Sequence, residues 1–419
     1  MLMSTETPAM RGSWFRWSTF FAVLGPGLVV MLADTDVGSV ITAAQSGAQW
    51  GYRLLLLQFL LIPVLYLVQE LTVRLGIFTG KGHGELIRET FGASWAYLSV
   101  VGLSVACTGA LLTEFSGVAG VSHLYGLPRI VGVGLAAVVL LIVVWTGSYR
   151  RVERVALAMG LFEVVFFGIA WASRPSLSAL MMGLTHVPLE RPDYMVLVAA
   201  NIGAVIMPWM VFYQQSAVAD KGLKPGQYRE ARLDTAIGAV ITQLIMGAVL
   251  VATAATIGHR NPEAPLNTVH QLSQAFVPFL GIGWGRVVFS VGILGAGMVA
   301  SIVVSLAGAW GWGEVTGFKH SLEHRPREAP WFYAIYTMIV IAGAVTVVSV
   351  PNLVVMDIAV EVMNAFLLPL VLGFLVALAV RALPRGHRIS GGYFWLIALV
   401  VTVTATLGVY GGIISIPGW

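Results

Sequence analysis

The sequence predicts an all-α integral membrane protein of about eleven transmembrane helices, arranged as two inverted five-helix repeats with one helix added. Three observations carry this. Only 11% of the 419 residues are charged and 58% are hydrophobic, whereas a soluble domain carries roughly 25% charged residues. The apolar residues gather in segments of the length that crosses a hydrocarbon core, about 20 residues. Two of these segments, at corresponding places in two halves of the chain, are interrupted by helix-breaking residues, the sequence sign of inverted repeats.

The segments fall at about 20–44, 53–73, 96–122, 129–147, 154–173, 195–219, 231–257, 282–310, 331–350, 353–381 and 393–413, spans 1 to 11 in chain order. The first 18 residues are polar and irregular, without a cleavage site, so span 1 is expected to be retained rather than removed as a signal peptide. With the N-terminus cytoplasmic, 18 of the 24 Lys and Arg residues, among them Arg11, Arg16, Arg74, Lys81, Arg150, Lys221 and Arg388, lie inside. Arg53, Arg129, Arg174, Arg191, Arg260 and Arg286 lie outside. This bias obeys the positive-inside rule and predicts a multi-pass protein of a plasma membrane with an external C-terminus. Residues 1–419 read as one transmembrane domain, with repeats at about 16–174 and 195–381 and an extra helix at 393–413. Each repeat has an odd number of spans, so the two must be inverted. The 47 glycines suit close helix packing in lipid.

Composition also excludes functions. The single Cys107 rules out an internal disulfide framework and any multi-cysteine metal site. The net charge of +4 is spread over loops, which gives nucleic acid nothing to bind. No nucleotide-binding glycine loop or nucleophile motif is present, so neither an enzyme nor an ATP-driven pump is expected, and no cofactor. The lipid bilayer is the expected surroundings, and a monomer satisfies the pattern without fixing an oligomeric state.

Span 1 carries GPG at 25–27 and then ADTDVGS at 33–39, and span 6 carries Gly203 and Pro208 at mid-length. Proline removes a helix hydrogen bond and crowds the preceding turn. The bland alternative is a pair of kinks used for packing. A carboxylate at bilayer mid-depth, however, costs at least ~2.5–3.5 kcal/mol on insertion scales. On an unbroken helix Asp34 and Asp36 would point about 200° apart, so both reach one cavity only if the helix unwinds between them. Carboxylate, hydroxyl and freed carbonyls beside a broken helix describe a cation site. Asp36 is the expected ligand; Asp34 either joins it, sits in the outer vestibule or pairs locally. The facing break offers the Met207 thioether and carbonyls near Ala204. Soft sulfur favours transition metals, and oxygen donors favour Mg²⁺, Ca²⁺ or Mn²⁺.

At these residues the sequence resembles the Nramp (natural resistance-associated macrophage protein) family of divalent-metal transporters. DVGSVITAAQSGAQWGY at 36–52 corresponds to the family's first-helix pattern, and RLGIFTGKGHGELIRETFG at 74–92 to its Thr-Gly-Lys-x-x-x-Glu-Leu loop. TEFSG at 113–117, GSYRRVE at 147–153 and AVIMP at 204–208 correspond to the third helix, the fourth-to-fifth turn and the sixth helix. The resemblance implies a LeuT-type fold and a metal site made by Asp36, the Ala33 carbonyl, Ser39, the Ala204 carbonyl and Met207.

The departures carry information too. Val37 stands where the family has Pro, and Ser39 where it has a metal-ligating Asn. Trp209 and Gln214 replace two sixth-helix histidines associated with proton movement, and Leu111 replaces an Asp near Glu114. Leu367 falls on a tenth-helix Gln, with Asn364 one turn away. Without those histidines a proton relay loses its natural carrier near neutral pH. A shorter ligand at Ser39 and an extra carboxylate at Asp34 make the site harder and roomier, as Mg²⁺ with its retained waters requires. The pattern thus resembles the family's magnesium-transporting branch.

The reading is a secondary transporter importing Mg²⁺ and/or Mn²⁺ by alternating access with weak or no proton coupling. Rival readings are a proton-coupled Mn²⁺/Fe²⁺ symporter, a sodium/amino-acid symporter of the same fold, and a passive cation channel. Glu114 and Asn364 are the coupling or gating candidates; Glu163, Asp234, Asp357 and Glu361 are expected to bond inside the bundle or gate it. His83 and His123 have no His or Cys at ligand spacing and read as structural.

Overall fold

The computed structural model describes residues 23–146, 148–258, 266, 269–274 and 277–415, and within these every regular element is a helix. Arg11, Arg16, Arg260, Gly147 and residues 20–22 of the expected first span lie outside the described residues. Among the described residues, nine helices are long and apolar enough to cross a membrane: Leu55–Thr79, Ala93–Leu124, Tyr149–Ala172, Pro192–Asp220, Pro225–Gly258, Gly283–Thr316, Pro330–Ser349, Leu353–Arg381 and Gly391–Ile414. Pro26–Asp34 and Val37–Trp50, bent by 47° at their junction, together make a tenth. Arg129–Trp145, the expected span 4, has 17 residues, at the short end of what crosses a bilayer. In order these are spans 1 to 11.

Span 1 runs on to Trp50 rather than stopping near Ala44, because Gly51, at φ 60°, is the first residue that turns the chain out of the helix. Two short helices, His83–Phe91 and Leu177–Thr185, occupy connections that the hydropathy pattern leaves as loops. The first is amphipathic and bracketed by Gly80 and Gly92, both at positive φ. Its solvent face pairs Lys81 with Glu85 and Glu89.

Span 6 is the centre of the bundle. Of its most apolar stretch 94% is buried, against 28% for span 5 and 33% for spans 9 and 11, which therefore form the periphery. Peripheral spans expose Ile130, Leu135, Leu161, Trp171, Met338 and Trp395. Apolar surface of this extent is what hydrocarbon solvates. Span 11 packs on spans 6 and 10, and its Tyr393 donates to Glu70 of span 2 at 2.8 Å. Glu70 is wholly buried, paired with Arg74 at 2.8 Å, and also accepts from Tyr228.

The end of the bundle that holds Lys81, Lys221 and Arg74 closes over span 1. Asp234 of span 7 accepts from the backbone N–H groups of Gly25 (3.3 Å), Gly27 (2.9 Å) and Leu28 (3.2 Å), the free donors at the start of Pro26–Asp34. A carboxylate suits that place, since it satisfies orphan donors and opposes the positive end of the helix dipole. Lys221 donates to the carbonyls of Val23 and Leu24 at 3.3 and 3.0 Å and pairs with Glu153 at 2.8 Å.

His83 sits in the same region, wholly buried, with Nδ1 2.9 Å from Gln215 Oε1 and its ring edge-on to Phe212. Burial depresses its pKa from 6.5 to about 4, so the folded protein holds it neutral. The unfolded chain protonates first, so this contribution is complete above pH 6.5 and is lost as pH falls from 6.5 to about 4, a difference of about 3 kcal/mol. Thermal unfolding in detergent should show the wild type losing stability over that interval more steeply than His83→Gln. Parallel curves for the two proteins would refute this assignment.

Candidate functional site

The first break follows from residues that cannot carry a helix through. Helix 26–34 ends at Asp34, Thr35 leaves the helical region (φ −79°, ψ 45°), and Asp36 is extended (φ −76°, ψ 176°). Asp36 then serves as N-cap of the second half: its Oδ1 accepts from the Ser39 N–H at 2.7 Å. Capping of this kind is what Asp does at a helix start. The Val37 N–H, which a continuous helix would direct to the Ala33 carbonyl, lies 3.2 Å from Glu114 Oε2 instead. The break thereby frees the Ala33 carbonyl from its helical partner.

The second break has a simpler cause. Pro208 has no N–H, so the Ala204 carbonyl loses the donor four residues on. Ile206 and Met207 leave the helix at φ −125°, ψ 84° and φ −93°, ψ 141°, and helix 208–220 starts with proline in its first turn. The orphan carbonyl is taken across the bundle: Ser39 Oγ donates to it at 2.9 Å. This one bond holds the two breaks face to face.

Four of the sequence-predicted residues thus meet here. Asp36, Ser39 and Met207 are at most 1% exposed and Ala204 3%. Asp36 Oδ2 has no hydrogen-bond partner. The Met207 sulfur does have one, since Trp209 Nε1–H donates to it at 3.2 Å. The tryptophan standing where the resemblance expects histidine therefore occupies the thioether. Ala33 is buried in the last turn before the break.

Asp34 is placed differently. It is buried beside the Thr242 hydroxyl, but that hydroxyl is bonded to Thr35 at 2.6 Å and neither Asp34 oxygen completes a hydrogen bond. Glu114 supports the break directly, through Val37 and a second contact from Thr113 Oγ1 at 3.3 Å. Asn364 is buried beside Glu361, and its Oδ1 has no hydrogen-bond partner. Its Nδ2 donates to Glu361 Oε2 at 3.1 Å, and Glu361 is the residue of span 10 that reaches it: a Cβ at Gly38 would lie 2.2 Å from Glu361 Oε1. Asp357, one turn away, accepts from Ser116 at 2.8 Å. The spacing 357, 361, 364 puts all three on one helical face, a signal present in the sequence.

Asp34, Asp36, Glu114, Glu163, Asp357 and Glu361 are all buried, and among the described residues none is in an ion pair. No three carboxylate, imidazole or thiol groups converge as a ready metal cage among those residues. The donor set at the paired breaks is mixed: one carboxylate, two freed carbonyls, a hydroxyl and a thioether. Such a set can take a divalent cation that exchanges with the Ser39–Ala204 and Met207–Trp209 bonds.

Comparison with known proteins shows the family and the fold. Residues 27–413 match the family described as natural resistance-associated macrophage protein-like. The divalent metal cation transporter MntH of Erwinia tasmaniensis is 28% identical over 295 residues, covering 69% of this chain and 71% of that protein. MntH of Pectobacterium carotovorum subsp. carotovorum is 29% identical, covering 68% and 71%. Among solved structures, a variant of the manganese transporter of Eremococcus coleocola superposes with TM-score 0.75 at 18% identity, over 97% of this chain and 88% of that one. MhsT in complex with L-phenylalanine superposes with TM-score 0.60 at 14% identity, over 97% and 100%. These likenesses show the fold, a LeuT-type bundle with broken first and sixth helices.

Proposed function

From the premise that this chain belongs to the natural resistance-associated macrophage protein-like family, and so is a multi-pass membrane transporter rather than an enzyme, we propose that it imports divalent cations, Mg²⁺ and/or Mn²⁺, by alternating access. Spans 1–5 and 6–10 act as the inverted repeats and span 11 as an addition, within one transmembrane domain. The N-terminus is cytoplasmic and the C-terminus external. This orientation is supported by the clustering of Lys81, Lys221, Arg74 and Arg232 at one end of the bundle, with Arg53 and Arg191 stacked on Trp50 elsewhere. The MntH relatives' names describe divalent metal cation transport, which supports the substrate class. No resident cofactor is needed.

The observation that carries the reading is the Ser39–Ala204 bond. It places two unwound segments against each other beside the unpartnered Asp36 Oδ2. Asp36 supplies the charge, Ala33 and Ala204 supply carbonyl oxygens, and Ser39 and Met207 tune selectivity. When a cation enters, Ser39 releases Ala204 and Met207 releases Trp209, so the ion is exchanged for internal bonds rather than added to them. A ligand that binds one arrangement better than the other shifts the population toward it. Coupling to protons is weak or absent, because Trp209 and Gln214 hold the positions where histidines would carry them. Gln214 is bonded to Thr72 and Thr235 at 3.0 and 2.8 Å and carries no titratable proton.

Uptake into proteoliposomes with a trapped pH dye tests this. The expected result is Mg²⁺ or Mn²⁺ entry without acidification. Mn²⁺ entry with acidification and no Mg²⁺ transport would establish a proton-coupled symporter instead, with Glu114 as the group to examine. Sodium-driven uptake of an amino acid would overturn the cation reading; the buried carboxylates at the break repel a substrate carboxylate. Ser39→Asn, which lengthens the ligand and adds an amide oxygen, is expected to shift the Mn²⁺/Mg²⁺ uptake ratio severalfold toward Mn²⁺. An unchanged ratio would refute the role given to Ser39.

A further inference from the structure

Span 5 is not a continuous α-helix. It tightens to a 3₁₀ turn over Leu161–Val164, and such mid-helix turns mark strain or function. Inside that turn Glu163 is wholly buried, and neither of its carboxylate oxygens has a hydrogen-bond partner. Beside it stands Thr35, the residue at the centre of the first break. Thr35 Oγ1 is 2.6 Å from Thr242 Oγ1 of span 7. On the far side of Thr242 lies Asp34, also buried and with both oxygens unpartnered. Two carboxylates thus flank a pair of hydroxyls, and four carboxylate oxygens are left without a donor.

No cationic side chain among the described residues answers them. Neither Glu163 nor Asp34 is in an ion pair among the described residues. A buried, unpaired carboxylate is costly, so such groups are paired, protonated or metal-bound. Two of these four donors, Glu163 and Thr242, lie outside the paired breaks. Ser39, Ala204 and Met207 belong to spans 1 and 6; Glu163 and Thr242 belong to spans 5 and 7 and contribute only oxygen.

We propose that Asp34, Thr35, Glu163 and Thr242 form a second cation site, which takes a hard cation through oxygen donors alone. Oxygen-only donors select Na⁺, Mg²⁺ or Ca²⁺ over softer ions. The site rests on the proposed role of Asp36 only in being called second. Because Thr35 belongs to the break and Glu163 to a neighbouring span, a cation here fixes span 1 against spans 5 and 7. An ion at the second site can thereby favour one position of the break, the service that the absent sixth-helix histidines would render by protonation.

The experiment is isothermal titration of purified full-length protein with Mg²⁺, Mn²⁺, Ca²⁺ and Na⁺, comparing wild type, Asp36→Ala and Glu163→Gln. The expected result is that Asp36→Ala retains binding of at least one hard cation, Na⁺, Mg²⁺ or Ca²⁺. Glu163→Gln should weaken that binding at least tenfold while keeping the Asp36-dependent Mn²⁺ event. Which hard cation survives in Asp36→Ala identifies the occupant. If Glu163→Gln leaves every binding event unchanged, or if Asp36→Ala binds none of the four, the site does not exist. A pair that held only protons would give the second result. Should Glu163→Gln not fold, Thr242→Val removes one donor at nearly constant volume and is expected to weaken the same event. Loss of the Mn²⁺ event alone in Asp36→Ala bears on the transport site, so the two assignments fail separately.

Discussion

Asp36→Ala is expected to abolish cation uptake while leaving a folded protein in the membrane. Two functions of one carboxylate have to be separated. Oδ1 caps the second half of span 1 through the Ser39 N–H, and losing a cap costs about 1 kcal/mol, which a bundle of this size survives. Oδ2 is the unpartnered oxygen beside the paired breaks. Removing it leaves an entering cation with neutral donors in a region of low dielectric, where charge is felt most strongly. A loss of affinity of at least about 100-fold, roughly 2.7 kcal/mol, is expected. Asp36→Asn makes the distinction sharp. Its side-chain oxygen still accepts from Ser39, so the cap persists while the charge is gone, and uptake should be lost as completely. Elution as a single species on size exclusion, with normal thermal unfolding, checks the fold. Uptake within twofold of wild type by either variant would remove Asp36 from the site.

Gly203→Ala is expected to be the most damaging conservative substitution in span 6. A Cβ there would stand 1.8 Å from the carbonyl oxygen of Glu361 and 2.9 Å from its carbon. Backbone meets backbone, so no side chain can rotate out of the way. Overpacking with side-chain relief costs about 1–3 kcal/mol, and this contact has no such relief. The measurement is the yield of monodisperse protein after detergent extraction, expected to fall to a small fraction of wild type. Gly373→Ala on span 10, with nothing within 4 Å of its Cβ, is the control and should express normally. Equal yields would mean that spans 6 and 10 do not cross as closely as described.

The two helix breaks that make up the candidate site are legible in the sequence. Pro208 acts through its own backbone chemistry, so the break in span 6 and the freed carbonyl of Ala204 can be read from local sequence, whereas the Ala33 carbonyl came only with the family resemblance. What connects the breaks could not be read. The Ser39–Ala204 bond joins residues 165 positions apart, and its existence depends on how spans 1 and 6 face each other. The same holds for span 10. Asp357, Glu361 and Asn364 share a face, but which of them meets Gly38 depends on the height at which two helices cross, and the missing side chain of Gly203 helps fix that height. In the sequence Trp209 is only the loss of a histidine; the folded geometry makes it the partner of Met207. Asp34 and Asp36 are two residues apart and both buried, but Asp36 caps the second half-helix through Ser39 whereas Asp34 lies beside Thr242.

The start of span 1, at residues 25–28, has a consequence for fidelity. Three backbone N–H groups share one carboxylate, Asp234, and Lys221 ties the two preceding carbonyls to Glu153. Such an end does not fray residue by residue, because each donor released leaves the others holding the same oxygen atoms. Under the alternating access proposed above, opening at this end is expected to be close to all-or-none: the half-helix swings out whole or stays shut. A gate of that kind spends little time ajar, and a carrier whose gate is seldom ajar leaks few ions down their gradient between productive turnovers.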